Sequence, residues 1–208
     1  MKAMILAAGE GRRMRPLSDV KPKPLLEVAG RPLIEHHIAR LSAAGFSEIV
    51  VNVSHLGHQL VDFLGDGSQW RVAISISAEQ TPLETAGGII QALPRLGDAP
   101  FLLVNGDVFT DYPLAKLRET VPFQRGAHIV VVPNPKHNPL GDFALQDDRV
   151  GQLPSTETVV GDPVVVTYSG IGVYDPALFA DSAPGPQPLK PLLDEAIARA
   201  SLSGELYE

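Results

Sequence analysis

The chain has 208 residues, of which 44% are hydrophobic and 20% charged, with a formal net charge of −7 at pH 7; this composition is typical of a globular protein with one sizeable core. No apolar run approaches the ~18 residues that a membrane span requires, and an acidic chain lacks the broad basic surface that binds nucleic acid, so we expect neither partner. Because the sequence contains no cysteine, disulfides and thiolate metal sites are excluded, which agrees with the cytoplasmic location that we expect.

Apolar runs of strand length alternate with helical patterns over the first two thirds of the chain. Strands are predicted at residues 2–8, 48–54, 72–79, 101–107 and 127–133. Helices are predicted within residues 32–45, 59–64, 85–93 and 114–121. Because the strands are almost wholly apolar and are separated by helices, the pattern predicts an α/β fold in which a mostly parallel, mixed sheet is covered by helices on both faces.

The pattern changes after about residue 134. Short strand-like segments, a longer strand, a proline-rich loop and an amphipathic helix follow at residues 143–146, 150–154, 164–175, 182–188 and 189–200. We therefore expect one domain over residues 1–208, with an α/β half at 1–133 and a strand-rich half at 134–208. No motif in the sequence specifies an oligomeric state.

Polar residues and glycines collect where the predicted strands end. The loop Gly9 to Arg13 follows the first strand, residues 79–88 follow the third, and Asn105 to Asp107 follow the fourth. Ligands of open α/β sheets bind beyond the carboxyl ends of the strands, at the point where the strand order reverses. With the strand order 3-2-1-4, the first and fourth strands are neighbours, so the glycine loop and Asp107 are predicted to face one crevice.

The glycine loop begins a cluster of cations in an otherwise acidic chain, namely Arg12, Arg13, Arg15, Lys21 and Lys23. The loop is not a dinucleotide fingerprint, because Met14 stands where a third glycine is required, and no Gly-Lys-Ser/Thr triplet completes a P-loop. Glycines nevertheless allow backbone N–H groups to approach an anion, and the nearby side chains supply full positive charges. We interpret the segment as a site for a small polyanion; a solvated basic loop is the alternative.

Two further polar residues have both a structural and a functional interpretation. Asp107 ends an apolar strand, where a carboxylate either caps the next segment or binds Mg²⁺ together with substrate phosphates. Thr85 precedes an apolar helical pattern, so it is predicted as the N-cap of a helix whose N-terminus could also meet a phosphate or a base. His36 and His37 lie within a predicted helix and are interpreted as surface or core groups, not as ligands.

Taken together, these motifs resemble those of the sugar-1-phosphate nucleotidyltransferases. LAAGEGRRMRP at residues 6–16 and KPKPL at 21–25 are similar to the family's L-A-A/G-G-x-G-T-R-L/M-x-P and K-P-x-L. The family's later motifs follow in the same order as EQTPLETAGGI at 79–89, VNGD at 104–107, PLGD at 139–142 and TYSGIGVYD at 167–175. The resemblance implies a Rossmann-like, glycosyltransferase-A-like fold whose first half binds the nucleotide and whose second, strand-rich half binds the sugar.

The resemblance also implies an activity: transfer of a nucleotidyl group from a nucleoside triphosphate, UTP in the first place, to a sugar 1-phosphate with the help of Mg²⁺. The residues that it assigns to catalysis are Arg13, Lys23 and Asp107, of which Asp107 is also the metal ligand. The residues that it assigns to the nucleotide are Leu6, Ala8, Gly9, Gly11, Gln80, Thr85, Ala86 and Gly87. The residues that it assigns to the sugar are Asn105, Gly141, Asp142, Glu157 and Gly170.

The sequence departs from the family pattern at several positions. Arg12 replaces the usual Thr or Ser, and Glu84 replaces the usual Gly. The family's E-K-P after the sugar glycine is not present, and Glu157 is the residue that we expect in place of its Glu. A second metal-binding Asp, carried in the family by a W-x-D-x-G segment, does not occur before Glu208. We expect either that this segment lies beyond Glu208 or that the site uses fewer metal ligands.

The sequence leaves the base of the nucleotide open, because the amide of Gln80 can pair with several base edges. A guanylyl-, thymidylyl- or cytidylyltransferase of the same fold, acting for example on mannose or glucose 1-phosphate, is therefore an alternative. A relative that binds a nucleotide-sugar without turnover is another. A nicotinamide dehydrogenase is disfavoured by Met14 in the glycine loop.

Overall fold

The structure is a computed structural model that describes residues 1–154 and 163–208. Its strands are β1 (Ala3–Leu6), β2 (Glu27–Val28), β3 (Arg31–Pro32), β4 (Glu48–Val53), β5 (Ala73–Ala78), β6 (Phe101–Asn105), β7 (Ala127–Val132), β8 (Phe143–Gln146), β9 (Arg149–Gly151), β10 (Val164–Tyr174) and β11 (Leu202–Leu206). Its α-helices are α1 (Leu17–Val20), α2 (Leu33–Ala43), α3 (Gly57–Leu64), α4 (Glu84–Leu96) and α5 (Lys190–Ala198). Short 3₁₀ helices lie at Arg12–Met14, Lys23–Leu25, Ser68–Trp70, Leu114–Glu119 and Pro176–Phe179. Within the described residues, no helix is both long and apolar enough to cross a membrane.

Most of the strands belong to one mixed sheet. Within the described ranges it has nine strands in the order β5-β4-β1-β6-β10-β7-β11-β9-β8, while β2 and β3 form a separate hairpin. The strands β5, β4, β1 and β6 run parallel to one another. These are the first four long strands of the chain, so the predicted order 3-2-1-4 is confirmed. β10 pairs antiparallel with β6 and β7, which makes the second half of the sheet mixed.

The sheet is covered by helices on both faces because its central strands are apolar on both sides. Met4 and Ile5 are neighbours in β1 and both are fully buried, yet they belong to different core clusters. Ile5 packs in the cluster that contains the apolar residues of α2 and α3, and Met4 packs in the cluster that contains those of α4 and α5. Since successive side chains of a strand point to opposite faces, the two clusters lie on opposite sides of the sheet. The predicted fold class is confirmed.

Two local predictions are wrong. The segment 114–121 is not an α-helix but a 3₁₀ helix over Leu114–Glu119, whose buried residues Leu114 and Leu117 are three apart and therefore share one side of a helix with three residues per turn. Thr85 is not an N-cap, because α4 begins one residue earlier and has no side-chain cap. The N–H of Leu83, the residue before α4, donates to the carboxylate of Glu79 at 3.1 Å, so a side chain from outside the helix holds its first turn.

The strand-rich half is continuous with the first half. β10 pairs with β6, and the predicted short strands become β8 and β9 at the far edge of the same sheet. The proline-rich loop at 182–188 contacts the start of α4, where the carbonyl of Gln187 accepts hydrogen bonds from the N–H groups of Ala86 at 2.9 Å and Gly87 at 3.2 Å. A side chain at position 87 would collide with the carbonyl of Gly185, so this contact requires glycine.

Two valines of β10 provide a matched test of where the core lies. Val173 is fully buried, whereas Val164 on the same strand is 53% exposed. We expect Val173→Ala to lower the free energy of unfolding by about 2 kcal/mol, because it removes buried methyl groups and leaves a cavity. Val164→Ala should change it by no more than about 0.5 kcal/mol. Urea unfolding followed by circular dichroism measures both values, and equal losses would contradict the burial of Val173.

Candidate active site

A cavity of about 730 Å³ opens at the carboxyl ends of β1 and β6. It is lined by the glycine loop after β1, by the 3₁₀ helix at Lys23–Leu25, by the loop before α4 and by the end of β6. The lining residues are Leu6, Ala7, Ala8, Gly9, Glu10, Gly11, Arg12, Arg13, Met14, Lys23, Pro24, Asn52, Glu79, Pro82, Leu83, Glu84, Thr85, Asn105, Gly106 and Asp107. Segments far apart in the sequence therefore meet at the edge of the sheet where the strand order reverses.

The two glycines of the loop serve different purposes. Gly11 has a φ of +64°, and a Cβ there would lie 3.1 Å from the Cβ of Ser18 and 3.2 Å from the Cβ of Lys23, so both conformation and packing require glycine. A Cβ on Gly9 would have no described atom within 4 Å. The buried Ser18 fixes the loop, because its hydroxyl donates to the carbonyl of Gly11 at 2.9 Å. Gly9 therefore presents a backbone that an anion can approach from the cavity.

The cations of residues 12–23 differ in their partners. Three of them pair with nearby carboxylates, Arg12 with Glu10, Arg15 with Asp19 and Lys21 with Glu27, at N–O distances of 2.6, 3.2 and 3.5 Å. Arg12 lowers the pKa of Glu10 through this hydrogen bond and through its charge. Lys23 pairs instead with Asp107. Arg13 is exposed, lines the cavity and makes no ion pair with any residue that the structure describes, so its charge is available to a ligand.

Lys23 and Asp107 form a direct ion pair, with Nζ and Oδ2 2.6 Å apart. Their side chains are 26% and 44% exposed, so a ligand in the cavity can compete for either group. Lys23 is positioned by its 3₁₀ helix and by its contact with Gly11. Asp107 is positioned by Gly106, whose N–H donates to the carbonyl of Leu6 at 2.9 Å and whose Cβ, if present, would lie 2.5 Å from that oxygen.

Asn105, the last residue of β6 and a lining residue of the cavity, carries an unpaired polar atom. Its Oδ1 is buried and has no hydrogen-bond partner among residues 1–154 and 163–208. Gly170 packs directly against it, because a Cβ at Gly170 would lie 2.6 Å from Nδ2 of Asn105. Gly170 has a φ of +83° and lies where the register of β10 against β7 shifts, between Tyr168 and Ile171. The irregularity in β10 therefore makes room for the Asn105 side chain.

The oxygen donors at the end of β6 fit a cation that binds together with phosphates. The described residues contain no group of three or more His, Cys, Asp or Glu side chains that could hold a metal ion by themselves. Mg²⁺ is commonly bound by one or two carboxylates, with phosphate oxygens and water completing its coordination. Asp107 supplies one such carboxylate, and the unpaired amide Oδ1 of Asn105 is a further oxygen atom that could bind a cation.

The loop between β5 and α4 is held by a buried polar pair that sequence reasoning missed. Oδ1 of Asn52 accepts a hydrogen bond from the N–H of Ala7 at 2.7 Å, and its Nδ2 donates to Oε1 of Glu79 at 2.7 Å. Oε2 of Glu79 accepts from the N–H of Leu83 at 3.1 Å. Burial raises the pKa of Glu79, and its two hydrogen bonds oppose that shift. The signal that could have pointed to Asn52 is a single amide within the apolar strand IVVNV.

The residues predicted to bind the nucleotide fall into two groups. Those that line the cavity are Leu6, Ala8, Gly9, Gly11 and Thr85. Those that do not are Gln80, Ala86 and Gly87, and the N–H groups of the last two already donate to the carbonyl of Gln187. Glu84 has a φ of 60°, in the left-handed region that favours glycine, which explains why glycine is usual in the family at this position.

The remaining residues predicted for the sugar lie outside this cavity. Gly141 has a φ of +67° in the turn before β8. Asp142 uses both carboxylate oxygens within the protein, since Oδ1 accepts from Nδ2 of Asn138 at 3.0 Å and Oδ2 from the N–H of Tyr168 at 2.9 Å. Glu157 lies outside the described residues. Sugar contacts by these residues stay predictions.

The cavity brings together an available arginine, a lysine–carboxylate pair and an open glycine backbone, which are groups suited to a polyphosphate ligand. Enzymes that transfer nucleotidyl groups act on such ligands through charge. The family model described as nucleotidyl transferase matches residues 2–152. The chain therefore belongs to the nucleotidyl transferase family, as its motifs predict.

Individual relatives agree with this assignment. The N-acetylmuramate α-1-phosphate uridylyltransferase of Neisseria meningitidis serogroup B is 49% identical over 212 residues, which cover 100% of this chain and 90% of that protein. A mannose-1-phosphate guanyltransferase of Aspergillus oryzae is 43% identical over 122 residues, 57% of this chain and 34% of that longer protein. A crystal structure from Bacillus anthracis, assigned as a glucose-1-phosphate thymidylyltransferase, matches with a TM-score of 0.82 and 20% identity over 100% of this chain and 87% of that one. This last likeness confirms the nucleotidyltransferase fold.

His37 of α2 is a buried histidine next to the backbone of Gly106. It is 3% exposed, and its Nε2 has no hydrogen-bond partner among the described residues. Burial lowers its pKa to about 4, and the charges of Arg40 and His36 act in the same direction. The backbone of Gly106 and the charge of Asp107 oppose this shift only in part. The ring is therefore neutral at pH 7 and packs as a core group.

The lowered pKa of His37 predicts a loss of stability in mild acid. The unfolded chain protonates this histidine near pH 6.5 and the folded chain only near pH 4, so between these values the unfolded state binds more protons and stability rises with pH. Lowering the pH from 8 to 5 should reduce the free energy of unfolding by about 2 kcal/mol through this residue. Urea unfolding of the wild type and His37→Gln at both pH values measures the difference. The same pH dependence in both proteins would disprove it.

Proposed function

We propose that the protein transfers a uridylyl group from UTP to N-acetylmuramate α-1-phosphate, giving the UDP-sugar and pyrophosphate for the synthesis or recycling of cell-wall precursors. One observation carries the reaction: the ion pair of Lys23 and Asp107 lies in a cavity that Arg13 and the open backbone of Gly9 also line. The choice of substrates is supported by the 49% identity, over the whole of this chain, to the N. meningitidis uridylyltransferase.

The reaction requires no general base. An oxygen of the sugar phosphate attacks the α-phosphorus of UTP, the bond from that phosphorus to the oxygen of the β-phosphate breaks, and pyrophosphate leaves with the bonding electrons. A phosphate monoester has a second pKa near ~6, so it is mostly a dianion at pH 7 and needs no deprotonation. No histidine occurs among the described residues that line the cavity, which is compatible with such a mechanism. The main barrier is the repulsion between the two anionic substrates.

Charged side chains counter this repulsion. Arg13 donates two parallel hydrogen bonds to oxygens of the triphosphate, a geometry for which the guanidinium group is suited. Lys23 leaves Asp107 for the α-phosphate, where its ammonium group offsets the negative charge that develops during attack. The backbone of Gly9 approaches the phosphates closely because no Cβ stands between them. Before the triphosphate is bound, pairing with Lys23 prevents the carboxylate of Asp107 from repelling it.

Mg²⁺ is part of this proposal. Asp107 and Asn105 would hold the ion, together with oxygens of the bound phosphates. When bound, it supplies positive charge near the phosphates that react. The unpaired Oδ1 of Asn105 supports this assignment, because a buried acceptor without a partner costs free energy unless a ligand uses it.

The two halves of the chain divide the substrates between them in this proposal. The cavity-lining residues all precede residue 108, which supports nucleotide binding by residues 1–133 of a single domain. The contact of Gly170 with Asn105 brings the second half to the edge of the same cavity, which supports sugar binding by residues 134–208. We propose that the enzyme acts in the cytoplasm.

Guanylyl transfer to mannose 1-phosphate is a second candidate function. It is supported by the A. oryzae guanyltransferase and by a protein of Oryza sativa subsp. japonica named as a probable mannose-1-phosphate guanylyltransferase, which is 35% identical over 187 residues, 86% of this chain and 51% of the rice protein. The amide of Gln80 is compatible with either base. The choice of UTP therefore depends on the longer and closer match to the uridylyltransferase.

A pyrophosphate-release assay that crosses four nucleoside triphosphates with the 1-phosphates of N-acetylmuramate, mannose and glucose tests the substrates. We expect UTP with N-acetylmuramate α-1-phosphate to give a kcat/KM at least ~10-fold above that of every other pair, the discrimination that pocket contacts commonly supply. A best activity with GTP and mannose 1-phosphate would replace the first candidate by the second. No Mg²⁺-dependent release with any pair would indicate a nucleotide-sugar-binding protein without turnover.

Lys23→Ala and Asp107→Asn should each lower kcat/KM for the best substrate pair by at least ~10²-fold, the scale of single charge-stabilising groups. Lys21→Ala is the matched control, because Lys21 belongs to the same cation cluster but pairs with Glu27 and does not line the cavity. It should stay within about 2-fold of the wild type, since exposed ion pairs contribute little. Near-normal turnover by a folded Lys23 or Asp107 variant would rule out the assigned role.

A further inference from the structure

A chain of buried hydrogen bonds joins two loops of the site. We call residues 7–11 the phosphate loop and residues 79–85 the base loop. We propose that Asn52 and Glu79 are positioning residues, which hold the phosphate loop and the base loop at the separation that a nucleoside triphosphate requires. The inference rests on the proposed function, because it takes the cavity between the two loops to be the nucleotide site.

Three hydrogen bonds form the connection. The N–H of Ala7 donates to Oδ1 of Asn52 at 2.7 Å, Nδ2 of Asn52 donates to Oε1 of Glu79 at 2.7 Å, and the N–H of Leu83 donates to Oε2 of Glu79 at 3.1 Å. Ala7 belongs to the phosphate loop and Leu83 to the base loop, while Asn52 lies near the end of β4 between them. The pair therefore links the backbones of both loops through the strand that separates them.

The three hydrogen bonds determine which group donates and which accepts at each contact. Asn52 must present its oxygen to Ala7 and its amide nitrogen to Glu79, since the reverse orientation would face two donors against each other. Glu79 accepts on both oxygens and so acts as a carboxylate. The two residues are 2% and 7% exposed, and in a buried network each unmet donor or acceptor carries a large penalty. Each of the four side-chain polar atoms of the pair has a hydrogen-bond partner, which makes the separation of the loops well defined.

Helix α4 packs onto the same pair without a side chain between them. A Cβ on Gly88 would lie 2.7 Å from Oε1 of Glu79 and 2.9 Å from Nδ2 of Asn52. Glycine at this position therefore lets the helix approach the hydrogen bond directly. Gly88→Ala adds one methyl group at that bond and changes no donor, acceptor or charge.

Preorganised loops make nucleotide binding stronger, because less conformational freedom is lost when the ligand binds. Disruption of the pair should therefore weaken UTP binding. The KM for the sugar phosphate should change little, since the hydrogen bonds of the pair and its packing against α4 all lie within residues 1–133. A merely structural role would instead lower thermal stability and leave the UTP affinity of the folded protein unchanged.

The sharpest test exchanges the amide of Asn52 and the carboxylate of Glu79 between the two positions. Glu79→Gln leaves one acceptor for two donors, and Asn52→Asp places two carboxylates face to face. In the double variant Asn52→Asp/Glu79→Gln, Asp accepts from Ala7 and from the Gln amide, and the Gln oxygen accepts from Leu83. Every partner is then satisfied again, with one negative charge as in the wild type.

We expect each single variant to bind UTP at least ~10-fold more weakly in isothermal titration calorimetry with Mg²⁺, and the double variant to return within about 3-fold of the wild type. The KM for the sugar phosphate should stay within about 3-fold throughout. Glu48→Gln is the control, because this exposed carboxylate lies at the opposite end of β4 and pairs only with Lys2 among the described residues. Wild-type affinity in both single variants, or no recovery in the double variant, would overturn the proposal.

If a variant at Asn52 or Glu79 does not fold, Gly88→Ala provides a second test, because it perturbs the same hydrogen bond without changing either residue. It should also weaken UTP binding about 10-fold, and unchanged affinity would overturn the proposal. Calorimetry measures binding and does not depend on turnover. If the wild type binds UTP but releases no pyrophosphate, the proposed function is refuted, and the affinities of the variants still test the role of Asn52 and Glu79. A wild type that binds no nucleoside triphosphate would overturn both.

Discussion

The site depends on one close backbone contact, between the carbonyl of Leu6 at the end of β1 and the N–H of Gly106 after β6. Only glycine fits there, because a Cβ would lie 2.5 Å from the carbonyl oxygen. The contact brings the ends of two neighbouring parallel strands together, so that the loop after one strand and Asp107 after the other face the same space. Lys23 then reaches Asp107 although the two residues are 84 positions apart. The contact continues the pairing of β1 with β6 by one residue, and the cations and the carboxylate of the motifs share the cavity at that end of the two strands.

An acidic protein that binds a polyanion must keep its own carboxylates from repelling the ligand, and the cavity contains several of them. Glu10 is neutralised by Arg12, Asp107 by Lys23, and Glu79 is turned toward an amide and a backbone N–H. Arg13 keeps its charge for the ligand because it has no such partner among the described residues. The net charge of the whole chain therefore says little about the potential inside the cavity, where three of the four lining acids, Glu10, Glu79 and Asp107, are each matched to a donor.

The sequence was sufficient to predict the fold class, the order of the first four long strands and the edge at which the site lies. Those features depend on apolar periodicity and on where polar residues interrupt it, which are local properties. The error at Thr85 concerns contacts between distant segments. Thr85 looks like a helix cap, yet the start of α4 depends on Glu79 and on the carbonyl of Gln187, about 100 residues further along the chain. The link between Asn52 and Glu79 likewise has no local pattern, because each residue alone reads as one polar group at the end of a strand.

The position of β10 between β6 and β7 has a consequence for how the chain is made. β6 and β7 are consecutive in the sequence but do not pair, and both strands that pair with β7, β10 and β11, follow it in the chain. During synthesis the parallel strands from β5 to β6 can assemble first. One edge of β6 and both edges of β7 stay unpaired until β10 and β11 have been synthesised. Exposed strand edges of this kind are templates for pairing with other chains. The nascent protein is therefore most vulnerable to aggregation between the emergence of β7 and that of β11. The last third of the chain supplies β10 and β11, the strands that cover the exposed edges of β6 and β7.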